Sequence, residues 1–186
     1  MMSDKQGPRI GYIVSLCGVM SGLALALMFI LGMVPSFEYL SPGMGGLLIW
    51  IIRKELGVKY GLISYIAVAI LGLLVVPNYE ATMMFLFLLG YYPIIREYLQ
   101  KIKIKLFQWI VKLAVFAIPS VGAYMILIHL FGMDHLMEEA DDFGKYGTLV
   151  LLGIGAFAFV LYDLFIGIFN PFYDQIIKPK IQRRMK

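Results

Sequence analysis

Asp163 stands in the last long apolar stretch of this 186-residue chain, towards its polar end at Asn170 and hence in the inner leaflet, where an ionised carboxylate has little water to stabilise it. A charge at the centre of a membrane helix costs about 2.5–3.5 kcal/mol on insertion scales, so such an acid needs a base. Lys112, a little way into the preceding apolar stretch from its basic end, is the natural partner, with Arg53 or Arg96 as substitutes. One buried acid with one base can relay a proton or a cation, but a structural ion pair is the commoner outcome and is the role expected here. A second group is suited to holding a small molecule: Glu38 and Tyr39, then Asn78, Tyr79 and Glu80, then His129. Aromatic rings stack on flat ligands while amides and carboxylates fix their orientation, although the same residue types also gather at membrane interfaces without a ligand. A third group, His135 with Glu138 and Glu139 beside Asp134, Asp141 and Asp142, offers imidazole and oxygen donors for a divalent ion. Its density of like charge fits a solvated acidic loop better, and no metal site is assigned. No HExxH, GxSxG or phosphate-binding glycine loop occurs, so neither catalysis nor a cofactor is expected.

The elements that must position these residues are apolar. Hydrophobic residues make up 61% of the chain, charged residues 15%, and the mean hydropathy is +0.83, values that point to an all-α membrane protein. Apolar runs over 11–34, 43–52, 60–76, 81–95, 106–132 and 147–170 give six transmembrane helices in one compact bundle. All but one of the sixteen lysines and arginines cluster in alternate gaps, at Lys5 and Arg9, Arg53 to Lys59, Arg96 to Lys112, and Lys178 to Lys186. Lys145 is the exception. The other gaps are neutral or acidic, and because cationic loops resist translocation, the basic gaps and both termini are expected in the cytoplasm. This is a multi-pass plasma-membrane topology with membrane lipid as an obligate partner. No linker divides the sequence, and a single transmembrane domain over 1–186 is expected. The pI of 9.1 does not argue for nucleic acid, because topology and anionic headgroups account for juxtamembrane bases. Cys17 is alone and excludes an intramolecular disulfide. Lys5 and Arg9 before an apolar run resemble a signal peptide, but the run continues to Val34 without a polar break and reads as an uncleaved helix.

The second run begins at Ser41-Pro42-Gly43 and holds Gly45-Gly46, which predicts a broken or looped outer end beside a cavity. Pro77, Pro93 and Pro119 predict further irregularity. Gly90-Tyr91-Tyr92-Pro93 and Tyr162-Asp163 read as aromatic-belt and packing elements. In the first run Gly18, Gly22 and Ala26 recur every four residues and form a smooth stripe for helix association, either within the bundle or with a partner.

Six spans, inside termini, the small-residue stripe Gly22-Leu23-Ala24-Leu25-Ala26 and an irregular segment before a short second span together resemble the substrate-binding S component of energy-coupling factor vitamin transporters. The resemblance covers nearly the whole chain as a layout. It implies a six-helix subunit that binds a vitamin or micronutrient near the outer face and docks through its first helix on a transmembrane coupling subunit driven by ATPases. By position it implies a lid over Pro35 to Pro42 and a pocket drawing on Glu38, Tyr39, Asn78, Glu80 and Tyr124. The family's stripe is typically an alanine pair, where this chain has Gly22 and Ala26, and no vitamin-specific signature is present. The layout is also similar to that of the cell-shape protein MreD, which implies the alternative of a noncatalytic membrane scaffold.

Overall fold

A computed structural model describes residues 10–34, 37, 40–131 and 146–178. Every regular element among them is helical: α1 (Ile10–Gly32), α2 (Leu40–Leu56), α3 (Val58–Val75), α4 (Tyr79–Met84), a π-helical turn (Phe85–Leu89), α5 (Tyr92–Leu99), α6 (Lys105–Phe131), α7 (Gly147–Phe172) and a second π-helical turn (Tyr173–Ile177). Four stretches are long and apolar enough to cross a membrane: Ile10–Gly32, Val58–Val75, Lys105–Ile126 and Leu149–Gln175. Those helices mark the chain as a helical membrane protein, since a helix pairs its own backbone groups where no water can. The chain forms two compact units, Met1–Met133 and Asp134–Lys186.

In the first unit α2 is the central element. It packs on α1 and α3 and buries Leu47, Ile49, Trp50 and Ile52, leaving α1 and α3 to expose residues such as Val14, Val19, Leu62, Ile66 and Ile70. An apolar exterior around a covered short helix is the arrangement expected where lipid replaces water. The expected break at Ser41-Pro42-Gly43 is not there, for the helix runs unbroken from Leu40 to Leu56. Pro42 falls in its first turn, where the missing N–H would have had no helical partner in any case. Gly45 serves close packing instead: a Cβ there would lie 3.0 Å from Met28 Sδ of α1 and 3.2 Å from the Phe85 ring. At the other end of α2, Gly57 turns the chain directly into α3 with φ of 95°, a left-handed value that a side chain resists.

Between α4 and α5 the chain stays helical but loses register. The Gly90 N–H reaches back five residues to Phe85 O at 2.8 Å, so the Leu86 carbonyl drops out of the four-residue ladder. Tyr65 of α3 donates its hydroxyl to that carbonyl. Pro93 enters the first turn of α5, where it is tolerated. α6 continues through Pro119, which has no N–H for the carbonyl of Val115 four residues earlier. Tyr91 donates to Val115 O at 2.9 Å and supplies the missing bond. The Tyr65 and Tyr91 rings meet edge to face with centroids 6.3 Å apart, so two neighbouring phenols serve two irregularities on different helices. Tyr91 is thus a backbone donor, and Tyr92 beside it is fully buried.

The second unit is built on α7. Leu149, Ile154, Phe157, Leu161, Leu164 and Ile168 are exposed, whereas Phe159, Asp163, Ile166 and Tyr173 are buried. Phe165 stacks on Phe169, and Phe169 touches the rings of Phe172 and Tyr173 along one side of the helix.

Candidate functional site

The first unit has two polar ends of different character. At one, the C-terminus of α1, the start of α2 and the α3–α4 junction converge, since a Cβ on Gly32 would lie 3.5 Å from Asn78, 3.8 Å from Val76 and 4.0 Å from Ser41 Oγ. Asn78 holds this junction together. Its Oδ1 accepts from Ala81 N at 2.8 Å and caps α4, and its Nδ2 donates to Gly32 O at 3.4 Å, at the end of α1. Thr82 donates its hydroxyl back to Asn78 O at 2.9 Å. Beside the cap lies an open groove of about 430 Å³ lined by Gly32, Met33, Pro77, Asn78, Tyr79 and Glu80. Its polar side chains are Asn78, Tyr79 and Glu80, beside the apolar Met33 and Pro77, a mixture and a size that suit a small molecule.

At the other end, the C-terminus of α2, the start of α3 and the last turn of α5 meet. Arg53 forms an ion pair with Glu97, the arginine side chain being 6% exposed and the carboxylate 43%. The same guanidinium lies 5.8 Å from the centroid of the Tyr98 ring. Gly61 makes room for it, because a Cβ there would sit 2.8 Å from Arg53 Cβ. Arg96 is buried next along α5, and the Gln100 side-chain oxygen accepts from its Nη1 and Nη2 at 2.9 and 2.8 Å. Arg53, Lys54, Lys59, Arg96, Lys101, Lys103 and Lys105 all collect at this end, and among the described residues of the first unit the groove end has no lysine or arginine.

Of the residues expected to bind a small molecule, Asn78 and Glu80 line the groove. Glu38 and Tyr39 lie outside the described residues, as does the acidic stretch from Asp134 to Asp142 with His135. Tyr124 and His129 are on α6 and do not line the groove: Tyr124 is half-buried, and His129 is exposed with Nδ1 3.0 Å from Met125 O of its own helix. Lys112 is buried in the first unit with Nζ 4.9 Å from the centroid of the Trp109 ring, and Asp163 is buried in the second. Arg53, one of the substitute partners for Asp163, is engaged by Glu97. Glu97 escapes a reading of the sequence because it lies within a cationic run whose evident role is topological.

The stripe of Gly18, Gly22 and Ala26 is exposed on the first unit. A Cβ on Gly18 or Gly22 would meet no atom within 4 Å. Comparison of the chain with family models, with curated proteins and with solved structures finds no match.

Proposed function

We propose that this protein is the membrane-embedded, substrate-binding subunit of an uptake system for a small molecule of the vitamin or micronutrient class, energised by a separate coupling subunit with ATPases. The observation that carries the reading is the open groove lined by Asn78, Tyr79 and Glu80, placed at the end of the first unit opposite its lysines and arginines. Cationic ends are retained in the cytoplasm, so the groove opens outward, where a solute for uptake arrives. In this topology α2 and the α4–α5 segment also cross, which with the four longer helices makes six crossings, and both termini are cytoplasmic. Glu38 and Tyr39, which lie outside the described residues, belong to the connection between α1 and α2 and are assigned to the same binding set. The open face of α1 at Gly18, Gly22 and Ala26 docks on the coupling subunit, because small residues let a second helix approach closely.

A noncatalytic scaffold is the second reading, and one observation favours it: both polar atoms of the Asn78 side chain are spent on capping α4 and holding α1. Thermal unfolding of the detergent-solubilised chain against a vitamin panel separates the two. A ligand that binds only the folded state adds about 2.7 kcal/mol at a hundredfold excess over its dissociation constant. Stabilisation by one ligand class, weakened by Glu80→Ala, Glu38→Ala and Tyr39→Ala but kept in Gly22→Leu, supports the transporter subunit. No stabilisation by any ligand, together with no small molecule in the mass spectrum of the purified protein, overturns it in favour of the scaffold.

A further inference from the structure

The short connection after α5 and the first turn of α6 alternate cations with apolar side chains: Lys101-Ile102-Lys103-Ile104-Lys105-Leu106-Phe107. Its three lysines are exposed, and so are three of its apolar members, Ile104 at 67%, Leu106 at 74% and Phe107 at 54%. The lysine at its start is held in place, with Lys101 Nζ 5.1 Å from the centroid of the exposed Tyr98 ring. Across the same end Lys54 Nζ stands 4.8 Å over the Trp50 ring. The acid nearest in sequence, Glu97, is taken by Arg53, so the lysines keep an excess of positive charge.

A free aqueous anion would be matched by the ammonium groups but not by the apolar side chains between them. An anionic phospholipid matches both, its phosphate against the lysines and its acyl chains along Ile104, Leu106 and Phe107, at the level where α6 enters the hydrocarbon. We propose that the α5–α6 connection with the start of α6 is a binding site for an anionic phospholipid headgroup, held by Lys101, Lys103 and Lys105. Each lysine near an anionic surface is worth roughly a fivefold change in affinity, so three together produce a clear preference over zwitterionic lipid.

The test is native mass spectrometry of the full chain with phosphatidylglycerol and phosphatidylcholine offered in equal amounts. The unaltered protein is expected to retain phosphatidylglycerol at least tenfold over phosphatidylcholine, and K101Q/K103Q/K105Q to lose that preference while eluting as a monodisperse species with unchanged melting. Lys59→Gln, an exposed lysine at the same end, is expected to keep it. Equal retention of the two lipids by the unaltered protein, or an equal loss in Lys59→Gln, overturns the proposal, the latter in favour of a diffuse field. Displacement of the lipid by millimolar glycerol phosphate, which lacks acyl chains, would also overturn it by showing a site for the free anion.

Discussion

Gly90, which caps the π-helical turn, and Gly22, within α1, are both glycines in a largely apolar chain, yet their surroundings are opposite. Around Gly90 a Cβ would fall 2.6 Å from Phe85 O and 2.9 Å from the rings of Phe85 and Tyr65, whereas around Gly22 it would meet nothing within 4 Å. The first glycine lets the π-helical turn fold against α3. The second leaves a shallow path on the surface of α1. A small residue inside a bundle allows packing that is already complete, and one on its exterior leaves room for packing still to come. The rest of the first unit follows the same division, with irregular elements whose freed carbonyls are bonded by Tyr65 and Tyr91 inside and apolar faces outside.

The largest expected effect is at Gly90. Gly90→Ala should cost about 2–3 kcal/mol, because the added methyl meets a backbone oxygen that cannot move without disturbing the turn. Gly22→Ala should cost nothing and serves as the matched control, since alanine is the better helix former where space is open. Melting followed by fluorescence-detected size exclusion checks both, and equal losses at the two sites would erase the distinction.

Tyr91→Phe comes next, at about 1–2 kcal/mol, since it strands the Val115 carbonyl in apolar surroundings. In a Pro119→Ala background the same change should cost clearly less, because alanine in place of the proline brings an N–H to that carbonyl. A double-mutant cycle with additive losses would contradict the assignment of Tyr91 as the donor that Pro119 lacks. Asn78→Ala should cost about 1 kcal/mol through loss of the α4 cap, and Asn78→Ser should restore most of it by keeping an acceptor for Ala81 N. Failure of serine to rescue would shift the weight of Asn78 to its bond with Gly32.

The long elements were legible in the sequence because lipid demands uninterrupted apolar runs: α1, α3, α6 and α7 begin and end within two residues of the runs expected over 11–34, 60–76, 106–132 and 147–170. α2 misled in a specific way. Proline and glycine near a helix start signal a break, a first turn or a close approach with the same letters, and only the positions of Met28 and Phe85 decide for close approach at Gly45. The groove could be expected in part, since Asn78 and Glu80 stand out as polar residues between two apolar runs. The capping role of Asn78 and the pairing of Arg53 with Glu97 could not, because each depends on which ends of distant helices meet.

The division between a finished interior and an open α1 face is tested most directly by a photoreactive amino acid placed singly at positions 18, 22 and 45 of the full chain in its native membrane. Adducts with an ATPase-coupled transmembrane subunit are expected from positions 18 and 22 and not from 45. Absence of intermolecular adducts from 18 and 22, or equal adducts from all three positions, would contradict the docking role of that face.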